Sequence, residues 1–275
     1  MRADEALQLA LDLSGLGEIP ADSGVLVPGE LGERVLFAID VGVGELLLAR
    51  ELGARGVIAH HPPGGTPRLR WHEVLWRHVD LLAGYGVPEG AAKAAVAELV
   101  TEFSARDHAA NFLHVPAAAE ALGIPLVGIH TPLDEIGRRK LIEALEGLSP
   151  RATVGELVQR LGKFAEFAAA STGIEIRMGD PGNRVGRVGV FHGAGTNGGY
   201  PVAACAFRHG IDTVIYIHCS DAAVRRLARE FPGKNLVVVG HIAADSLGIN
   251  PFLEALEDRG LQVLALDVVR PGTRR

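Results

Sequence analysis

Four short apolar runs in this 275-residue chain each stop at a histidine, and that pattern narrows the folds open to it. They read VIAHHPPG (57–64), PLVGIHTPLD (125–134), TVIYIHCSD (213–221) and NLVVVGHIAAD (235–245). Runs of Val, Ile and Leu this short, bounded by Gly, Pro or polar residues, read as buried strands. Helical stretches lie between them. RVLFAID (34–40), GELLLARELGARG (44–56) and VIAH form one β–α–β unit, and a second begins near Arg187 with YPVAACAFRHG (200–210) as its helix and DTVIYIH as its returning strand. Such units build parallel sheets. NLVVV and LQVLALDVV (261–269) add further strands.

The fold class expected is therefore α/β, with two facing β–α–β lobes, a metal cleft between them and a helical insertion in the middle. Lobe 1 covers about 20–65 plus 124–148, the insertion about 68–122, and lobe 2 about 185–275. Helices are expected over 72–86, 89–106 and 114–122, and in TVGELVQRLGKFAEF, with Thr153 capping the turn that holds Glu156. Aromatic residues are only 5% of the chain, so the core must be built from Ala, Val, Leu and Ile.

In open α/β sheets ligands sit outside the carboxyl ends of strands, where these histidines fall. His60 and His61 are adjacent, and neighbours on a strand point to opposite faces; both reach one region only where the strand ends, as Pro62-Pro63 requires. Asp134 follows His130 by four residues. His241 and Asp245 are also four apart, which puts both on one face if a helix begins after Gly240; Asn250 could then cap a fresh helix with Pro251 in its first position. Neutral imidazoles and carboxylates suit Zn, Mn, Fe, Co or Ni. Five ligands, His60, His61, Asp134, His241 and Asp245, exceed what one catalytic zinc needs and match two divalent metal ions. Two such ions carry +4 against −2 from Asp134 and Asp245, a surplus that favours an anionic small-molecule substrate.

A net charge of −6 argues against nucleic-acid or acidic-membrane binding. The two cysteines, Cys205 and Cys219, form no CxxC pair, which excludes a disulfide framework and a thiolate zinc site and fits a cytoplasmic location. The opening MRADEALQLALDLSG reads as an amphipathic helix rather than a signal peptide, and no apolar stretch is long enough to span a bilayer.

The elements ADSGVLVPG, FAID, IAHHP, GIHTPLD, FHGAGTNGG and VGHIAAD, in that order along nearly the whole chain, resemble the NGG-interacting factor 3-like family, often labelled GTP cyclohydrolase type 2 homologues. The resemblance implies a two-lobed α/β fold spanning 1–275, a dinuclear metal centre on the same five ligands, and a ring-shaped homo-oligomer, commonly a hexamer. This chain departs from the family in three places. Asp245 replaces the usual Glu and is shorter by roughly 1.5 Å of bond length. His218 stands where the family has an acid. The 73 residues from His61 to Asp134 (134 − 61) exceed the family's spacing.

The expected function is a metal-dependent hydrolase-like protein acting on phosphoesters or nucleotides, with His130 and His218 as candidates for proton transfer or substrate contact. A non-catalytic metal-binding scaffold or regulatory oligomer is the alternative, because fold does not fix function. GAGTNG (193–198) also spells GxGxxG between a strand and a helix, the setting of a dinucleotide-dependent oxidoreductase, a third and less favoured reading because the next strand ends in His218 and not in a ribose-holding acid. Trp71, His72, Trp76 and His78 read as packing contacts, and Asp40 reads equally as an acid hydrogen-bonded to a histidine near the cleft or as a solvated strand-end acid.

Overall fold

The computed structural model describes residues 1–272. It opens with helix α1 (Ala3–Ser14), strands β1 (Gly24–Val27) and β2 (Arg34–Ala38), helix α2 (Val43–Glu51) and strand β3 (Gly56–Ala59). Short helices α3 (Gly65–Leu69) and α4 (Trp71–Val74) lead to α5 (Arg77–Gly84), α6 (Glu89–His108) and α7 (His114–Leu122). Strand β4 (Leu126–Gly128) feeds α8 (Thr131–Ala144), then come α9 (Val154–Leu161), α10 (Ala165–Ala169) and β5 (Glu175–Met178). Next in order are β6 (Val188–Val190), α11 (Gly199–Arg208), β7 (Thr213–Tyr216), α12 (Asp221–Glu230) and β8 (Asn235–Val238). Helix α13 (His241–Glu257) and strand β9 (Gln262–Leu266) follow.

The strands form two sheets, and the chain divides into two compact units, each holding one of them. The first unit comprises Met1–Val74, Glu102–Ile136 and Gly248–Val268, and its sheet runs β1-β4-β3-β2-β9. Strands β4, β3, β2 and β9 are parallel, with β1 antiparallel at one edge. Its core packs Leu36, Leu46, Val57, Leu126 and Val115 between sheet and helices. The second unit comprises Leu75–Thr101, Gly137–Leu247 and, among the described residues, 269–272. Its sheet runs β5-β8-β7-β6, again parallel except for one antiparallel edge strand. Val190, Ile215, Val237, Leu157 and Leu247 fill its core. As the composition requires, aliphatic side chains dominate both.

Local differences from the sequence reading have physical reasons. Strand β9 follows the second unit's strands in the chain but pairs with β2, Leu36 opposite Leu264, and so completes the first sheet. The helix expected over 72–86 breaks at Leu75–Trp76, where His78 N–H bonds Leu75 O (3.0 Å) and Val79 N–H bonds Trp76 O (2.9 Å) in tight turns. Helix α13 runs unbroken through Pro251, so Asn250 starts no new helix. A mid-helix proline costs about 3 kcal/mol, but Leu247, Ile249, Phe252, Leu253 and Leu256 are all fully buried around it, at about 1.5–3 kcal/mol each. The cap on α9 forms as expected: Thr153 Oγ1 accepts from Glu156 N–H (3.1 Å), and Glu156 Oε2 accepts from Thr153 N–H (2.6 Å).

Candidate metal centre

In the first unit the parallel register sets the site. Ala38 pairs with Ala59 and Ala59 with Gly128, so two residues further on Asp40, His61 and His130 emerge at one level beyond three neighbouring strands. The β2–β3 ladder continues just far enough to hold the histidines: His60 N–H bonds Ala38 O (2.9 Å) and His61 N–H bonds Ile39 O (2.8 Å). Pro62 and Pro63 then end the strand.

Each imidazole is fixed through Nδ1. His60 Nδ1 donates to Ile129 O (3.1 Å), His61 Nδ1 to Asp40 Oδ1 (2.7 Å), and His130 Nδ1 to Asp22 Oδ2 (2.7 Å). A carbonyl or carboxylate oxygen can only accept, so the proton of each neutral ring sits on Nδ1 and Nε2 carries a lone pair. One ligand nitrogen from each of the three lies within 4.8 Å of the others, and the ring centroids are 4.9–5.5 Å apart. Asp134 completes the group from the first turn of α8, its N–H bonding His130 O. Its Oδ1 lies 3.3 Å from His60 Nε2 and its Oδ2 3.7 Å from His130 Nε2. His60 is fully buried and Asp134 is 4% exposed. A lone pair facing a carboxylate at 3.3 Å is repulsive unless a proton or a cation lies between them, so this donor set fits a divalent ion.

The carboxylates behind the rings are themselves held. Asp22, fully buried, also accepts from Thr131 Oγ1 (2.7 Å) and from Ser23 Oγ (3.2 Å), and Ser23 Oγ accepts from His130 N–H (3.0 Å). Asp267, just past β9, takes a positive φ of 47° and accepts from Ile39 N–H (2.7 Å) and Asp40 N–H (3.1 Å), pinning the strand end that carries the acid behind His61. Burial pushes the Asp267 carboxyl above its ordinary range. Outer partners of this kind set ring orientation and basicity.

In the second unit His241 begins α13 and Asp245 lies one turn on, with His241 Nε2 3.2 Å from Asp245 Oδ2. The shorter acid thus still reaches the imidazole's face, and it is buried. His218, exposed at the end of β7, sets its ring 4.9 Å from that of His241. Burial pushes the Cys219 thiol up to about 11, so by itself it stays protonated at neutral pH.

The glycine loop 193–199 follows β6 and is shaped by packing. Arg77 Nε donates to Gly193 O (2.8 Å), His78 Nε2 to Thr196 O (2.8 Å), and Ile217 N–H to Asn197 Oδ1 (2.7 Å). Gly198 has φ +81°, and a Cβ there would meet Val202 Cγ2 at 2.3 Å. The glycine therefore serves the turn into α11. His78 is the packing contact the sequence implies, and Trp71 is more, since its ring stands 5.2 Å from His130.

Asp40 was legible from the sequence as a partner for a ligand histidine. Asp22, Ser23, Thr131 and Asp267 were not. The ADSG loop matched the family, yet nothing local ties Asp22 to a histidine 108 residues away.

An α/β chain whose parallel strands deliver imidazoles and carboxylates to one edge is of a class whose His and Asp groups could hold a metal ion. The comparisons give it a family. The chain is 45% identical to a NIF3 superfamily protein from Sphaerobacter thermophilus, over 97% of this chain and 98% of that one, with a TM-score of 0.94. This chain belongs to the NIF3 superfamily. Reduced HcgD from Methanocaldococcus jannaschii (15% identity, TM-score 0.57, 97% and 98% covered) shares the fold. So does a Bacillus cereus protein related to NIF3 (12%, TM-score 0.52, 100% and 99% covered). No protein-family model and no curated protein matches the chain. Among the described residues, no helix is long and apolar enough to cross a membrane.

Proposed function

We propose that His60, His61, Asp134, His241 and Asp245 hold two divalent ions, of Zn, Mn, Fe, Co or Ni, in a hydrolase-like protein acting on phosphoesters or nucleotides. The observation that carries this reading is the buried approach of His60 Nε2 to Asp134 Oδ1 at 3.3 Å while His60 Nδ1 donates to Ile129 O. Divalent ions held there would bring the ionisation of bound water from ~15.7 to near 7, supplying a nucleophile at neutral pH. The chain's own part is to orient. Asp40, Asp22 and Ile129 O hold the Nδ1 protons so that each Nε2 lone pair faces inward. His218, exposed beside His241, is placed to hand protons to or from solvent. His130 contacts substrate or moves its proton. The protein works in the cytoplasm as a ring of identical subunits.

Metal content measured on the purified chain, followed by turnover on a panel of phosphoesters and GTP with each ion restored, tests the proposal. Metal-stimulated turnover that disappears in His61→Ala is the expected result. Bound metal with no turnover on any substrate would leave a binding or regulatory protein; absence of bound metal under all loadings would overturn the site itself. Light scattering in solution reads the ring size.

A further inference from the structure

Trp71 is the first residue of α4, and its ring meets that of His130 at 74° with 5.2 Å between centroids. Its neighbours fix it there. Arg68 brings its guanidinium carbon to 5.5 Å from the indole centre. Both Arg68 and His72 are tied to Asp107, a carboxylate near the end of α6 that is 1% exposed. Arg68 Nη1 donates to it at 2.5 Å, His72 N–H at 2.8 Å and His72 Nδ1 at 3.0 Å. A buried carboxylate gives up such donors only at high cost, so the turn is clamped on both sides of the indole. The ring that the indole meets is the imidazole whose Nε2 faces Asp134 Oδ2 at 3.7 Å.

We propose that Trp71 is a positioning residue of the metal centre: it walls the imidazole cluster against water, holds the His130 ring in its attitude toward Asp134, and reports the arrival of an ion through its own emission. This rests on the metal reading above and adds a residue outside the five ligands. Its basis is that the apolar shell of a metal site controls solvent access, and that partners outside the ligands carry about 10–100-fold of metal affinity.

The chain has two tryptophans, Trp71 and Trp76, so single-tryptophan variants separate their signals. Trp76→Phe retains Trp71, and Trp71→Phe retains Trp76. Both, with wild type, Trp71→Ala and Asp107→Asn, are titrated with Co²⁺, which quenches nearby indoles, while calorimetry follows binding. The Trp76→Phe emission is expected to fall saturably at the calorimetric midpoint, and the Trp71→Phe emission to stay level. Trp71→Ala and Asp107→Asn are expected to bind about tenfold more weakly, and Trp71→Phe, which keeps an aromatic ring, to stay close to wild type. If calorimetry records binding while Trp71 emission is constant, or if Trp71→Ala binds as tightly as wild type, the role of Trp71 fails and the metal reading stands. If wild type takes up no Co²⁺, both fail. Should Trp71→Ala not fold by circular dichroism, the emission arm and Asp107→Asn decide.

Discussion

A neutral imidazole has one proton to donate; in the first unit His60 and His130 direct it away from Asp134, to Ile129 O and Asp22, and His61 directs it to Asp40. This predicts that partners behind the rings control the chemistry of the site. Asp22→Asn keeps the shape of the acceptor but loses the charge behind His130; metal-stimulated turnover is expected to fall about 10–100-fold, and unchanged turnover would refute the role given to Asp22. The candidate histidines were readable because strand-end histidines announce themselves locally, whereas Asp22 matters only through a contact that folding creates. His78 gives a separate prediction. Burial pushes its titration down to about 4 from an ordinary 6.5, and its Nε2–H donates to Thr196 O. Between those pH values the unfolded chain binds the extra proton, so the stabilisation is complete above pH 6.5 and is lost as pH falls toward 4. The shift corresponds to about 3 kcal/mol. In urea unfolding, wild type should therefore lose about that much more stability than His78→Gln between pH 7 and pH 4; parallel losses would show that His78 does not titrate this way.

At the scale of elements, the glycine loop shows how one motif supports two readings until its packing is known. GAGTNG spells a nucleotide fingerprint, but Arg77 and His78 hold its carbonyls and Gly198 closes against Val202. Gly198→Ala must then strain a positive φ and displace a buried side chain. It is expected to cost about 1–3 kcal/mol, seen as a melting temperature lower by roughly 2–4 °C per kcal/mol; an unchanged melting curve would mean the loop has slack. The strands were legible as apolar runs, and so was the α9 cap, because both are local patterns. Sheet membership was not. Nothing in LQVLALDVV says whether it joins strands just before it or those some 220 residues earlier, and the pairing of β9 with β2 settles it for the first sheet.

For the molecule as a whole, an ion bound only by the folded chain stabilises it by mass action, about 2.7 kcal/mol at a hundred times its dissociation constant. Stripping metal with a chelator is therefore expected to lower the melting temperature by about 5 °C or more, with recovery on adding back the ion. A melt indifferent to both would argue that no ion belongs to the native state. The order in which the chain is made bears on when such an ion can enter. Strand β2 and the two histidines that follow β3 leave the ribosome long before Asp267, whose carboxylate anchors the amides of Ile39 and Asp40. Until that late segment threads back alongside β2, the acid behind His61 has no anchored strand end to stand on. A strand end that needs this anchor is finished only after Asp267 has been made, so a shorter nascent polypeptide has no completed trap with which to capture stray ions.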